Sequence, residues 1–365
     1  MNRPRFQPPA PRAPLADPTL VRPNHFTSQL RPEGVLWLDR GECIDPQLTD
    51  LAASILKELP RHAIMAYPAP GPLYRKLAGH LGIGVDRLRL TRGTDGAIRT
   101  VFETYVDPGD LVLVSDPTYQ MYGVYAQMFG ARLAKVPYRM VDGRPVLTGA
   151  EVVEGIHRHR PKLVGLPYPD NPTGFAFTED EMRAIVEAAG EVGALMLADE
   201  AYHPFHPHSC LPWVEEYGHL VVARSFSKAW GMAGIRLGYT AAAPEVTAFL
   251  HKVRPMVEAD GLSMALAERM LDHGDAVKAS LERLVRGRGF FSAEMKALGF
   301  HALDTPCNFV HVKFGDKRAA VEEALKDVAR FRLFPDSILK DFLRFTTTTT
   351  ELFGPVVDAI RDATR

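Results

Sequence analysis

Between about residues 67 and 243 the chain alternates short apolar runs with amphipathic helical stretches, and this alternation limits the fold more than any other feature. The clearest runs are Leu111-Val112-Leu113-Val114, Leu163-Val164-Gly165-Leu166, Ala194-Leu195-Met196-Leu197-Ala198 and Leu220-Val221-Val222-Ala223. A strand covered by helices on both faces of its sheet reads in this way, so the pattern predicts an α/β fold with a mostly parallel central sheet. Three runs lead into polar or Gly/Pro loops: Ser115-Asp116-Pro117-Thr118-Tyr119, Asp170-Asn171-Pro172-Thr173-Gly174 and Asp199-Glu200-Ala201-Tyr202. Ligands of open α/β sheets sit at such carboxyl ends, which predicts one shared pocket.

Around this region the pattern is less regular. The first 26 residues carry prolines at 4, 8, 9, 11, 14, 18 and 23, which oppose helix and predict an extended or disordered arm. A short strand is expected at Val35-Leu36-Trp37-Leu38 and a helix over 46–59. Further helices are expected over about 262–298, then strands near 308–314 and 343–348. The division that follows is an arm (1–34), a first part of a small domain (35–62), a large domain (63–261) and the rest of the small domain (262–365). The Thr346–Thr350 run reads as a strand edge or loop.

Composition restricts the partners. With 43 Lys+Arg against 44 Asp+Glu, no global field draws the chain to nucleic acid or to an anionic membrane, and small molecules are the expected partners. No stretch reaches the roughly 18 apolar residues of a membrane span, and the opening lacks a signal-peptide core. Cys43, Cys210 and Cys307 are odd in number and widely spaced, which suits a reducing, cytoplasmic setting. His203, His206, His208 and Cys210 lie in a proline-interrupted loop that lacks the carboxylate or cysteine pair of a metal site, so no metal is expected.

The residues that can carry chemistry gather at the predicted strand ends. In Ser225-Phe226-Ser227-Lys228-Ala229-Trp230-Gly231-Met232-Ala233-Gly234-Ile235-Arg236 one lysine stands among hydroxyls and small residues. An amine that bonds covalently to an aldehyde cofactor needs a crowded, partly desolvated approach of this kind. Ser225, Ser227 and Arg236 suit a phosphate; the plainer alternative is a buried turn with a solvent-facing lysine. Asp199 would emerge at the sheet rim, where a carboxylate keeps a ring nitrogen protonated, and Asn171 and Tyr202 could donate to a phenolic oxygen. Arg92-Gly93-Thr94-Asp95-Gly96-Ala97, ahead of a helix expected to begin near Ile98, suits a phosphate or is simply a helix cap. Tyr119 could stack on a ring or belong to the core.

Taken in order, Tyr67-Pro68, Gly93-Thr94-Asp95, Pro108-Gly109-Asp110, Pro117-Thr118-Tyr119-Gln120-Met121-Tyr122, Asn171-Pro172-Thr173-Gly174, Asp199-Glu200-Ala201-Tyr202, Ser225 to Tyr239 and Leu343-Arg344-Phe345-Thr346 cover most of the chain from about residue 60. This ordered set resembles the fold-type I pyridoxal-phosphate enzymes of the class I/II aminotransferase family, and within it the histidinol-phosphate aminotransferase branch. The resemblance implies pyridoxal 5'-phosphate as cofactor, Lys228 as the Schiff-base and proton-transfer lysine, Asp199 as partner of the pyridine nitrogen, and Asn171 and Tyr202 as donors to the phenolic oxygen. It implies a phosphate cup of Thr94, Asp95, Ser225, Ser227 and Arg236, Tyr119 as the stacking ring, and Arg344 as the grip on a substrate carboxylate. Tyr67 is similar to a tyrosine that reaches the neighbouring subunit's phosphate, which implies a homodimer with shared sites.

Three segments depart from the branch. Its Asn-Glu-Asn-Pro-like stretch is here Asp39-Arg40-Gly41-Glu42-Cys43-Ile44-Asp45-Pro46, its Ser-Asp-Glu is Thr94-Asp95-Gly96, and its Val-Gly-Thr after the carboxylate arginine is replaced by threonines. The first and last touch regions that contact substrate, so the amine and the 2-oxo acid stay open. Arg31 and Arg332 lie near positions where the family holds a substrate phosphate. Amino-group transfer is the leading reading. An amino-acid or phosphoamino-acid decarboxylase of the same fold is the alternative, and a non-catalytic ligand sensor, which would need an added DNA-binding domain, is the third.

Overall fold

The computed structural model describes residues 10–21, 31 and 33–365. Its centre is a seven-stranded sheet built from β1 (Leu88–Thr91), β2 (Leu111–Asp116), β3 (Arg132–Pro137), β4 (Leu163–Pro167), β5 (Leu195–Asp199), β6 (Leu220–Ser225) and β7 (Gly238–Ala242), in the order β1-β7-β6-β5-β4-β2-β3. The pairs from β6 to β3 are parallel, while β7 runs antiparallel to both neighbours. That reversal brings the start of β7 to the same edge as the ends of β1, β5 and β6.

The strand side chains divide between two cores by parity, as pleated strands require. Leu113, Val164, Leu166, Met196, Ala198 and Val222 pack with the helices Gly149–His159 and Glu179–Glu191. Val112, Val114, Leu163, Leu195, Leu197, Val221 and Ala223 pack with Gly93–Tyr105 and Met121–Phe129. Each fully buried Leu, Val or Met contributes about 1.5–3 kcal/mol, so a one-residue slip of β5 would misplace both cores. Parity therefore fixes which polar residue leaves each strand on which face.

A second, three-stranded antiparallel sheet joins His301–Asp304, Phe309–Lys313 and Phe342–Thr346. It packs with the helices Gly274–Ala297 and Thr350–Thr364, where Phe291 stacks on Phe353 at 4.5 Å and lies 5.1 Å from Phe345. The chain start returns here, since Leu36–Trp37 pairs with Ala329–Arg330. The threonine run ends the strand at Thr346 and starts the last helix at Thr350.

Two expectations need correction. Part of the proline-rich opening is helical, over Ala13–Ala16, because Pro14 stands in the first turn, where its missing N–H costs no intrahelical bond. This piece lies on the helix Met121–Phe129, with Arg12 donating to the Met128 carbonyl and Gln127 to the Thr19 hydroxyl. Residues 10–12 and 17–21 have neither helix nor strand, as expected, and 1–9, 22–30 and 32 lie outside the described residues. The helix expected near Ile98 begins at Gly93, so Gly93-Thr94-Asp95-Gly96 is its first turn and not a preceding loop.

Candidate active site

Asp199 closes β5 with the parity of Leu195 and Leu197, so its carboxylate leaves on the face covered by the helix Gly93–Tyr105. It is 3% exposed and accepts from the Ala201 N–H at 3.1 Å. Burial pushes its pKa up to about 7, against the pull of the Lys228 charge. The next residue, Glu200, has the opposite parity and is bound to Arg224 at 2.9 Å in a buried ion pair. Ser209 and the Cys210 N–H also donate to Glu200, so the turn after Asp199 is tied to β6.

Lys228 lies beyond the end of β6. Its Nζ donates to the main-chain carbonyls of Gly41 at 2.8 Å and Arg40 at 3.1 Å, and lies 5.5 Å from the centre of the Tyr202 ring. Burial, helped by the charge of Arg344, lowers the lysine pKa to about 8. Near neutrality about one amine in ten is then unprotonated, far more than for an ordinary lysine, and the neutral form is the nucleophile. Tyr202 is buried against Phe309, at 5.6 Å between ring centres.

The phosphate-suited residues meet because β7 is antiparallel. Gly238, at its start, pairs with Ser225 on one side and Thr91 on the other, which brings Arg236, Ser225 and Gly93 together. The Ser225 hydroxyl accepts from the Ser227 N–H at 2.9 Å, and Arg236 Nη1 donates to the Ser227 hydroxyl at 3.4 Å. Gly93 has φ +68°, and a Cβ built on it would stand 3.3 Å from Arg236 Nη2 and 3.8 Å from Ser225 Oγ. Glycine leaves that cradle open at the positive end of a 13-residue helix whose N-cap makes no side-chain bond. Arginine, hydroxyls and helix amides around one small space are a donor set for a phosphate dianion. Asp95 stands in the first turn of this helix, and its Oδ1 accepts from the Tyr125 hydroxyl at 3.0 Å.

Arg344 is 6% exposed on Phe342–Thr346. Its Nη1 donates to Asn171 Oδ1 at 2.9 Å and its Nη2 to the Asp39 carbonyl at 3.0 Å, while Nε is buried without a partner among the described residues. Phe309 and Phe334 flank the guanidinium at 4.8 and 5.1 Å. A buried cation held by an amide and a carbonyl is short of anionic partners.

Tyr67 is 90% exposed. Arg31 is bound to Glu42 at 2.6 Å and lies over Trp37. Arg332 is exposed, and its backbone pairs with that of Arg344. Tyr119 is half-buried against the core beside Met121–Phe129. His206 packs edge-on to Tyr168, and among the described residues no three His, Cys, Asp or Glu side chains gather to hold a metal ion. Sequence reasoning missed Asn308, which donates to the Gly41 carbonyl at 2.9 Å, and His311, whose Nε2 meets the Pro172 carbonyl at 2.8 Å. It named Gly41 only as part of a variant segment, and no local signal marks the other two.

The sequence model of the family described as aminotransferase class I and II matches residues 33–360. A histidinol-phosphate aminotransferase 1 of Ralstonia nicotianae is 34% identical over 316 residues, which is 83% of this chain and 82% of that protein. The histidinol-phosphate aminotransferase of Symbiobacterium thermophilum is 32% identical over 295 residues, 80% of each chain. In fold, the chain is similar to the solved histidinol-phosphate aminotransferase from Sinorhizobium meliloti, in complex with pyridoxal-5'-phosphate, with a TM-score of 0.78 at 24% identity over 91% of each chain. All three are named as aminotransferases, which favours amino-group transfer over the decarboxylase alternative. The chain thus belongs to the class I and II aminotransferase family, in the branch of the histidinol-phosphate aminotransferases.

Proposed function

We propose that this pyridoxal-phosphate-dependent aminotransferase moves an amino group between an amino acid, or an amino-acid-like and possibly phosphorylated amine, and a 2-oxo acid. When bound, the cofactor supplies an aldehyde that accepts the amino group and a protonated ring that draws electrons from the substrate carbon. The residues fit it. Gly93 leaves a cradle for the phosphate beside Thr94, Asp95, Ser225, Ser227 and Arg236, and the buried Asp199 carboxylate suits a ring N–H. Asn171 and Tyr202 are the donors for the phenolic oxygen, and Tyr119 is the ring for stacking. Lys228 attaches the cofactor and, once freed, carries a proton at Nζ.

The observation that carries the reading is Arg344, a buried guanidinium whose Nε has no partner among the described residues, its other nitrogens held by Asn171 and Asp39. It is suited to grip a carboxylate and orient the α-carbon. Arg31 and Arg332 are the candidates for a substrate phosphate, with Arg31 already engaged by Glu42. The names of the relatives make histidinol phosphate the first amine to test.

Tyr67 supports a homodimer with shared sites, since it is exposed together with Ile64, Met65 and Met256, at 76–90%. We place the large domain at 63–261 and the small one at 35–62 with 262–365, after an arm of 1–34. The three thiols are free, which supports a cytoplasmic setting, and no helix among the described residues is long and apolar enough to cross a membrane. The test is to mix the loaded protein with histidinol phosphate and a panel of amino acids and follow loss of the imine absorbance. Formation of an aminated cofactor and a carbonyl product supports transfer, and release of carbon dioxide without amination refutes it.

A further inference from the structure

The loop Asp39-Arg40-Gly41-Glu42, where this chain departs from its branch, is pinned over Lys228 from the second sheet. The Gly41 N–H donates to the Thr346 hydroxyl at 2.8 Å. The Asn308 Nδ2 donates to the carbonyls of Gly41 at 2.9 Å and Glu42 at 3.3 Å. Carbonyl oxygens only accept, so the amide nitrogen must face the loop, and this fixes which end of the side chain is Oδ1. That oxygen is buried without a partner among the described residues, on a residue of 0% exposure.

Gly41 locates the oxygen relative to the lysine. It has φ +65°, and a Cβ built on it would lie 3.1 Å from Lys228 Nζ, 3.4 Å from Asn308 Oδ1 and 3.7 Å from the Tyr202 hydroxyl. The same amine already donates to the Gly41 and Arg40 carbonyls. Two carbonyls therefore hold the amine, and Asn308 Oδ1 borders the same space, which glycine keeps open. An ammonium has three N–H donors, and two are used here.

We infer that Asn308 is a positioning residue for the catalytic cycle: with the Gly41 and Arg40 carbonyls it forms a holding site for the Lys228 amine during the part of the reaction in which that amine is not bonded to the cofactor. The site keeps the amine within reach of the substrate carbon and favours its protonated form, which balances the opposite pull of burial and of Arg344. The inference rests on the reading of Lys228 as the cofactor-attaching lysine.

The test uses the full-length protein loaded with pyridoxal phosphate and then converted by an amino donor to the aminated form, so that Lys228 is free. The pH dependence of its acylation by acetic anhydride, read on the Lys228 peptide by mass spectrometry, gives the pKa of this one amine. Asn308→Ala is expected to lower it by about one pH unit, a tenfold change in the protonation ratio, and the near-isosteric Asn308→Asp to raise it, since a carboxylate favours the ammonium. Cofactor content and thermal unfolding report whether each variant is folded. A purely structural asparagine would change stability in both without opposite shifts at Lys228. Unchanged values, or shifts of the same sign, in folded variants overturn the inference alone. Borohydride fixation of the cofactor on a lysine other than Lys228 in the unsubstituted protein overturns the underlying reading with it.

Discussion

Asp199→Asn should stabilise the cofactor-free protein at alkaline pH while it disables the loaded enzyme, and the structure supplies the magnitude. Burial raises this carboxyl from 3.8 to about 7. Because the folded value is the higher one, the folded chain holds the proton more tightly than the unfolded chain. The contribution to stability is complete below about pH 4 and is lost as the pH rises through 7. Between pH 5 and 8 that loss amounts to about 2–3 kcal/mol at 1.36 kcal/mol per pKa unit. Asparagine does not titrate, so urea unfolding of the two cofactor-free proteins at both pH values should show wild type losing that much more than the variant. Other buried carboxyls, such as Asp170, which burial also raises to about 7, cancel in the comparison. In the loaded enzyme the amide cannot hold a ring nitrogen protonated by charge, and turnover should fall by about 10²-fold or more. Equal pH dependence in both proteins would refute the raised, buried carboxyl, and turnover within a few-fold of wild type would refute its role as the ring-nitrogen partner.

Lys228→Ala should abolish borohydride-fixable cofactor and nearly all turnover, while noncovalent cofactor retention through the phosphate cradle persists in equilibrium dialysis; a normal level of fixed cofactor would contradict the assignment. Arg344→Lys exchanges a fork for a point charge and should cost roughly 2 kcal/mol or more in kcat/KM for amino-acid donors with an unchanged imine spectrum, whereas an unaltered kcat/KM for every responsive amino acid would place the carboxylate elsewhere. If Tyr67 completes the partner subunit's site, mixing inactive Lys228→Ala and Tyr67→Ala proteins under exchange conditions should restore activity in heterodimers, and a fully active monomer in sedimentation would exclude shared sites.

The sheet strands were legible because burial on both faces writes a continuous apolar run into each of them, as Leu195 to Ala198 shows. Lys228, Asp199, Ser225 and Arg236 were legible for a related reason: each stands beside a strand end or in one short crowded segment, so its neighbours in sequence carry the signal. The short helix at Ala13–Ala16 and the early start of the helix at Gly93 were misread because proline and glycine are breakers inside a helix yet are tolerated in its first turn.

Other features have no local trace. The reversal of β7, which delivers Arg236 to the phosphate cradle, follows from which strands pair, since hydrogen bonding between strands is a property of the assembled sheet. The contact of Asn308 with Gly41 spans 267 residues, and that of Arg344 with Asn171 spans 173. The sequence by itself determined the α/β class, the strand ends and the chemical groups placed on them, because burial and backbone preference act on neighbouring residues. Only the tertiary structure decided that Arg344 is held by Asn171 and left with an open Nε, that Arg31 is occupied by Glu42, and that Lys228 lies under a loop pinned from the second sheet, because these depend on distances between segments that the chain joins only by folding.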